Sequence, residues 1–151
     1  RVAGLAICDA RYTSTEEHKM RWAERVAKAR ETGMVAIADD HLAQWFTPAV
    51  HEAQLPALDA VRAMIAGTPL EGYAGCVNAV TQTDFAGRLG EIRNPAIFIC
   101  GARDIGDFVE QAHHMHGAVA GSRLAIIKGA AHLSNMEKPR EFNQALRAFL
   151  S

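Results

Sequence analysis

Residues 94–151 alternate strand-like with helix-like segments, which restricts the fold more than any other feature of the sequence. Ala96–Cys100 and Leu124–Ile127 are short apolar runs of the kind that form buried strands. A helical pattern begins at Asp107 between them, and another follows Pro139, a residue suited to the first turn of a helix. Strands that alternate with helices form parallel sheets. The sequence therefore predicts an α/β fold built on a parallel sheet.

A polar residue follows each predicted strand. Asp104 ends the segment Gly101-Ala102-Arg103-Asp104 after the first strand, and His132 follows the second. Right-handed crossovers bring the carboxyl ends of both strands to one edge of the sheet, with adjacent strands about 4.8 Å apart. An acid after one strand and a histidine after the next is the chain order of the last two members of the Ser–acid–His triad in α/β-hydrolases. We therefore expect His132 to act as general base and then general acid, with Asp104 fixing its tautomer.

Other acids and histidines nearby have simpler explanations. Asp107 is a competing candidate for the acid, but its place at a helix start explains it as a cap, with Glu110 at the capping-box position. The same helix carries three histidines, His113, His114 and His116. One of them lies three residues from Glu110, a spacing that metal sites in helix bundles use together with further carboxylates. No such carboxylates are positioned here, so we expect a solvated helix face and no metal site.

The sequence offers no residue in the position of a nucleophile. None of the serines stands within Gly-x-Ser-x-Gly, and no cysteine stands in the equivalent frame. The four serines are Ser14, Ser122, Ser134 and Ser151. Because the chain starts at Arg1 and the strand-like run Val2–Cys8 follows at once, we expect the C-terminal portion of a longer hydrolase. The 2–8 strand would pair along its open edge with the N-terminal half, in the same polypeptide or as a companion chain.

The chain is predicted to have three parts. Residues 1–12 hold the first strand of a partial hydrolase core, and residues 94–151 continue that core with the acid and the histidine. Between them, 13–93 is predominantly helical and is predicted to be a lid inserted into the core. Trp22 and Trp45 lie in this segment, and we expect them near the substrate.

Local signals predict where the helices of this segment begin and end. Two overlapping capping boxes, Thr13 with Glu16 and Ser14 with Glu17, predict the start of the first helix. A later helix is predicted to run without interruption over 51–67.

Composition excludes several classes of function. The net charge of −1 provides neither a basic field for nucleic acid nor a polybasic face for a membrane. No apolar run approaches the roughly 20 residues that span a bilayer. Three cysteines are an odd number, and two of them lie in strand-like runs, which indicates reduced thiols and a cytoplasmic protein.

Several segments resemble 3-oxoadipate enol-lactonases, which are α/β-hydrolases of aromatic-compound catabolism. The resemblance covers nearly the whole chain. It rests on Trp22 with Arg25, Gly33-Met34, Gln44-Trp45-Phe46-Thr47, Pro69-Leu70-Glu71-Gly72-Tyr73-Ala74-Gly75-Cys76, Gly101 to Asp104, and Ala131 to Pro139. The third and fourth of the lid segments, around Trp45 and around Tyr73, are shared less widely among hydrolases than the segments that hold the acid and the histidine.

The resemblance implies hydrolysis of a small lactone or ester through a serine acyl-enzyme, without a cofactor. For an enol-lactone of the β-ketoadipate pathway, the product would be an open-chain keto-diacid. Asp104 and His132 carry over as the acid and the base of the triad. Trp22 and Trp45 carry over as lid residues that bind substrate.

The chain departs from the enol-lactonase pattern at two places, and these bear on the substrate more than on the fold. Gln44 stands where an arginine is expected, and Asp107-Phe108 stands where Thr-Pro is expected. An arginine could bind a substrate carboxylate, but the sequence does not choose among the candidates. These are Arg1, Arg21, Arg25 and Arg103.

An alternative hypothesis is a non-catalytic remnant or binding module that kept a hydrolase-derived fold. Residues 94–151 would then be a scaffold, and the helical segment an interaction surface. The two hypotheses differ in the sequence encoded upstream of Arg1, where a Gly-x-Ser-x-Gly motif favours the enzyme.

Overall fold

The computed structural model describes residues 2–151, so Arg1, one of the candidate cations, lies outside the described residues. Three strands alternate with helices as the sequence predicts. The strands are β1 (Leu5–Cys8), β2 (Ala96–Gly101) and β3 (Arg123–Ile127). The helices are α1 (Glu16–Thr32), α2 (Met34–Trp45), α3 (Pro48–Glu52), α4 (Pro56–Ala66), α5 (Leu70–Thr81), a 3₁₀ helix (Ala86–Glu91), α6 (Phe108–Ala118), α7 (Ser134–Glu137) and α8 (Pro139–Leu150).

The sheet is parallel, and β2 lies between β1 and β3. All six residues of β2 are buried, because both faces of the sheet are covered by helices. On one face Phe98 packs with Met115 of α6, and on the other Ile99 packs with Phe142 and Leu146 of α8. Full burial of such a side chain contributes about 1.5–3 kcal/mol. This two-sided burial fixes the end of β2, from which the acid loop starts.

The first strand is shorter than predicted and forms an edge of the described sheet. The prediction placed it at 2–8, but pairing begins only where the amide of Leu5 donates to the carbonyl of Pro95 at 2.9 Å. Pro95 has no N–H group, so it cannot donate a main-chain hydrogen bond to the carbonyl groups that precede Leu5. On its other side β1 has no neighbour within residues 2–151. Val2 remains 60% exposed.

The helices α1–α5, which we call the lid helices, have their own apolar core. Ile37 and Leu42 of α2 pack against Val61 of α4, and Leu133 and Met136 pack onto this cluster from the loop after β3. The lid helices and the loop that carries His132 are thus joined through apolar contacts. Within residues 2–151, no helix combines the length and the apolar character that crossing a membrane requires.

Both predicted capping boxes at the start of α1 are wrong. The N-cap is Thr15, whose hydroxyl accepts a hydrogen bond from the amide of His18 at 3.1 Å. Thr13 instead pairs with Asp84 in an isolated bridge, and the hydroxyl of Ser14 donates to the carbonyl of Val80. Thr13 and Ser14 are thus bound to the end of α5 and to the segment after it, and α1 begins later than predicted.

The predicted helix over 51–67 is also wrong, because the chain forms α3 and α4 there. Pro56 disfavours the helical conformation at Leu55, which is extended at φ −62° and ψ 141°. Gln54 has a positive φ of 47°, which completes the break.

Gly101 allows the two loops at the carboxyl edge of the sheet to interlock. A Cβ atom at this position would lie 2.1 Å from the carbonyl oxygen of Ala131. The close approach is held by main-chain hydrogen bonds of 2.9 Å, from Ala102 to Ile127 and from Arg103 to Ala130. The loop of Asp104 therefore lies directly against the loop of His132.

Replacing Gly101 by alanine is expected to lower the free energy of unfolding by about 3 kcal/mol, because backbone atoms on both sides would have to move. The measurement is urea denaturation of the two proteins side by side. Gly75→Ala is the matched control, since no atom lies within 4 Å of the added Cβ and the position is inside α5. Its free energy of unfolding should stay unchanged or rise by up to about 1 kcal/mol. Equal unfolding midpoints for both variants would contradict the interlock.

Candidate active site

Asp104 and His132 meet at the carboxyl edge of the sheet. Nδ1 of His132 lies 2.9 Å and 3.1 Å from the two carboxylate oxygens of Asp104. The side chain of Asp104 is fully buried and also accepts a 2.7 Å hydrogen bond from the amide of Ile105. Because an ionised carboxylate only accepts, Nδ1 of His132 carries a proton and Nε2 is the basic nitrogen. The side chain of His132 is 18% exposed, so this nitrogen is accessible.

Asp107, the competing candidate for the acid, points elsewhere. Its carboxylate binds the guanidinium of Arg11 through two contacts and accepts a 3.0 Å hydrogen bond from Gln111. Burial pushes the pKa of Asp107 upward, but the hydrogen bonds from Gln111 and Arg11 and the charge of Arg11 outweigh it and lower the pKa below its ordinary value. Asp107 occupies the N-cap position of α6 without capping it through its side chain. The predicted capping role is therefore wrong, and an ion pair explains the residue.

A cavity of about 370 Å³ lies between the sheet edge and the lid helices, and His132 opens onto it. Trp22 and Trp45, the two predicted substrate-binding residues, both line this cavity. The ring centroid of Trp45 lies 5.7 Å from that of His132, and the ring of Phe108 meets the imidazole edge-on at 4.7 Å. Two aromatic rings thus flank His132 at the cavity wall.

His18, which the sequence analysis missed, fixes the orientation of Trp22. The indole Nε1 of Trp22 donates to Nε2 of His18 at 2.7 Å. Nδ1 of His18 then carries the proton and donates to Ser14, whose hydroxyl donates to the carbonyl of Val80. Burial, together with the charges of Arg11 and Arg21, lowers the pKa of His18 and favours this neutral form. The i, i+4 spacing of His18 and Trp22 was the only sequence signal.

Two of the candidate cations line the cavity. Arg21 and Arg25 both reach it, whereas the exposed Arg103 is not among its lining residues. The guanidinium of Arg25 lies 4.9 Å from the Trp22 ring and donates to the side-chain oxygen of Gln44. The enol-lactonase pattern has an arginine at the position of Gln44. In this chain Gln44 instead positions another arginine, Arg25.

Asp9 is a second acid beside the pair, half-buried, and the sequence analysis did not identify it. It directly follows β1 and has a positive φ of 44°. One carboxylate oxygen of Asp9, Sγ of Cys100 and one carboxylate oxygen of Asp104 lie within 4.8 Å of one another. Burial raises the pKa of Cys100 further above its ordinary value, so the thiol keeps its proton and is a poor metal ligand. Since Asp104 is also engaged by His132, we do not assign a metal to this group.

Glu137 joins the lid helices to the histidine loop. Its carboxylate is buried and accepts a 2.8 Å hydrogen bond from the amide of Ala131, next to His132. The other oxygen accepts from the amide and the hydroxyl of Thr47. The amide of Leu133 donates to the carbonyl of Trp45 in a further link of 3.2 Å.

A buried histidine supports the aromatic lining from behind. His41 is 1% exposed and stacks on Trp45 with a centroid distance of 4.2 Å. Its Nε2 lies 3.0 Å from the hydroxyl of Tyr73, and its Nδ1 has no hydrogen-bond partner. Burial, with a smaller contribution from the charge of Arg25, lowers the pKa of His41 to about 4.

The comparisons with known proteins identify hydrolases. No protein-family model matches the chain. The curated 3-oxoadipate enol-lactonase 2 of Acinetobacter baylyi is 31% identical over 129 residues, which are 85% of this chain and 48% of that protein. The chain therefore spans about half the length of the curated relatives it matches.

Two solved structures superimpose over almost the whole chain. A hydrolase from Pseudomonas aeruginosa PA01 has a TM-score of 0.92 at 32% identity, covering 100% of this chain and 56% of its own. The enol-lactonase from Burkholderia xenovorans LB400 has a TM-score of 0.92 at 31% identity, covering 99% of this chain and 56% of its own. The predicted fold, the C-terminal part of an α/β-hydrolase sheet with a helical lid, is thereby confirmed.

The lowered pKa of His41 predicts a loss of stability in acid. The unfolded chain takes up a proton at this histidine below pH about 6.5, whereas the folded chain does so only near pH 4. The free energy of unfolding should therefore fall by up to about 3 kcal/mol as the pH drops through that window, and His41 should add no further change below it.

Chemical denaturation of the wild type and of His41→Phe at several pH values tests this prediction. Phenylalanine keeps the stacking on Trp45 but cannot be protonated, so the fall should become smaller. A residual fall from His18 is expected, because its pKa is lowered as well. His113→Phe, at an exposed position, is the matched control and should leave the pH dependence unchanged. Identical profiles for the wild type and His41→Phe would contradict the assignment.

Proposed function

We propose that this chain, which belongs to the α/β-hydrolase superfamily and is similar to 3-oxoadipate enol-lactonases, supplies the acid and the base of a serine hydrolase. The observation that carries the proposal is the Asp104–His132 pair, bonded at 2.9 Å, at the edge of a cavity of about 370 Å³. The substrates would be lactones or other carboxylic esters, and the serine would come from a segment outside this sequence.

Each residue of the pair has a defined role in this reaction. Nε2 of His132 takes the proton from the serine hydroxyl while the serine oxygen attacks the substrate carbonyl. The imidazolium then protonates the oxygen that leaves as the ester C–O bond breaks. In the second half, His132 deprotonates a water molecule that releases the acyl group from the serine. Asp104 holds the proton of Nδ1 and stabilises the imidazolium in both halves.

The lining of the cavity supports an acidic lactone as substrate. Trp22, Trp45 and Phe108 offer flat apolar surfaces to a ring. Arg25 and Arg21 lie in the same cavity and suit a carboxylate on the substrate, whereas Arg11 is neutralised by Asp107. We therefore propose an enol-lactone with a carboxylate side chain, by analogy with the activity for which the relatives are named. Such an activity would belong to cytoplasmic catabolism of aromatic compounds.

The serine-bearing part is proposed to be the N-terminal half of the same hydrolase. Two observations support this: the chain spans 48% of the Acinetobacter enol-lactonase, and β1 has an unpaired edge within the described residues. An apolar strand edge without lysines is a site for pairing with another segment. Leu5 and Ile7 next to this edge are only half-buried, and a neighbouring strand would cover them.

An activity assay with the two halves tests the proposed function. The chain alone should show no lactonase or esterase activity, because none of its serines or cysteines stands in a Gly-x-Ser-x-Gly or equivalent motif. Adding the N-terminal half, as a separate chain or fused to this one, should give hydrolysis of an enol-lactone and form a stable complex. An N-terminal half with its serine changed to alanine is the control and should bind without restoring activity. Equal activity with and without the N-terminal half, or a monodisperse monomer that unfolds cooperatively and binds no partner, would contradict the proposal.

Substitutions in the complete enzyme distinguish the two candidate acids. His132→Ala removes the proton shuttle, and Asp104→Asn keeps the shape but favours the wrong tautomer, so each should lower kcat about 10⁴-fold. Asp107→Asn weakens only the ion pair with Arg11 and should lower kcat less than about 10-fold. A larger loss in Asp107→Asn than in Asp104→Asn would show that the acid is assigned to the wrong residue.

A further inference from the structure

We propose that Asp9 is a positioning residue that holds the loops of Asp104 and His132 in register with each other. The proposal rests on the proposed function only in that the pair is taken to be catalytic. The contacts of Asp9 do not depend on the reaction. Its carboxylate hydrogen-bonds to Gly101, where the acid loop begins, and to Ser134, just after His132.

One oxygen of Asp9 fixes the start of the acid loop. The amide of Asp9 continues the pairing of β1 by donating to the carbonyl of Ile99 at 2.8 Å. Its carboxylate then reaches across to the next strand, where Oδ1 accepts from the amide of Gly101 at 2.9 Å. Gly101 lies three residues before Asp104 and is the residue at which the two loops interlock. This contact sets where the chain leaves the sheet.

The other oxygen holds the histidine loop. Oδ2 of Asp9 accepts a 2.6 Å hydrogen bond from the hydroxyl of Ser134. Ser134 is fully buried and stands two residues after His132, at the start of α7. Both partners of Asp9 donate, and hydrogen bonds to an ionised carboxylate are stronger than those between neutral groups. One charged group thus spans the two loops.

The surroundings of Asp9 are unfavourable for a residue without such a role. Its positive φ is a conformation that residues other than glycine adopt rarely. Burial and the nearby charge of Asp104 raise its pKa, while the hydrogen bonds from Ser134 and Gly101 oppose the rise. A left-handed backbone and a partly buried carboxylate with a shifted pKa together are typical of functional positions.

Three variants of the complete enzyme distinguish two possible roles of Asp9. It could link the two loops through its hydrogen bonds, or it could act only as a charge near the pair. Asp9→Ala removes both hydrogen bonds, and Ser134→Ala removes only the one to the histidine loop. Each should lower kcat about 10- to 100-fold with little change in KM, because the loops lose their relative position while the aromatic and arginine side chains of the cavity are kept. Asp9→Asn can still accept from Gly101, and its amide can donate to Ser134, so it should restore most of the kcat lost in Asp9→Ala.

Ser122→Ala is the matched control, since Ser122 lies away from the pair and its hydroxyl hydrogen-bonds to His116. It should leave kcat unchanged. If Ser134→Ala left kcat unchanged, as Ser122→Ala should, the proposed link between the two loops would be refuted. If Asp9→Asn lost as much kcat as Asp9→Ala, the charge of Asp9 would matter instead of its hydrogen bonds, and the proposal would be wrong.

Proton NMR gives a readout that does not need turnover. The proton between Nδ1 of His132 and Asp104 should give a resonance far downfield that shifts or broadens in Asp9→Ala and Ser134→Ala. The resonance should stay close to its wild-type position in Asp9→Asn. If the complete protein hydrolysed no ester but showed this pattern, the proposed function would fail and the role of Asp9 would stand. A resonance unchanged in Ser134→Ala would overturn the role of Asp9 whatever the activity.

Discussion

The site depends on the contact between two main chains at Gly101. The loop after β2 and the loop after β3 approach so closely that a side-chain carbon at this position would overlap the carbonyl of Ala131. Two hydrogen bonds between the loops replace the contacts that side chains would otherwise make there. Because the strands below are buried on both faces, neither loop can move away from the other without disturbing the sheet. How closely the two loops approach is therefore limited by the backbone.

Around this contact lie three carboxylates, two buried and that of Asp9 half-buried, and each is supplied with donors. Asp104 accepts from an imidazole and an amide, Asp9 from an amide and a hydroxyl, and Glu137 from two amides and a hydroxyl. A buried carboxylate without donors would cost several kcal/mol. Fully satisfied groups of this kind make one arrangement of the loops much more favourable than any other.

The sequence was sufficient to predict the sheet and the Asp104–His132 contact, because strand order and the handedness of crossovers place both residues by local pattern alone. The roles of Asp9 and Glu137 could not be predicted in this way. Asp9 bonds to residues 92 and 125 positions away, and Glu137 bonds to a residue 90 positions away. Hydrogen bonds between residues so far apart in the chain leave no periodicity or spacing pattern in the sequence. The start of α1 was predicted wrongly for the same reason. Thr13 and Ser14, the expected caps, bond to residues at the far end of the lid helices.

Glu137 has a consequence for how hydrolases of this kind can exchange parts. An inserted lid looks like a module that could be replaced by the lid of another hydrolase through recombination. In this chain the lid supplies the amide and the hydroxyl that satisfy one oxygen of Glu137. A foreign lid without a donor pair at the position of Thr47 would leave that oxygen buried and unpaired beside the histidine loop. The lid and the segment after β3 must therefore be inherited together, although 84 residues separate Thr47 from Ala131 in the chain.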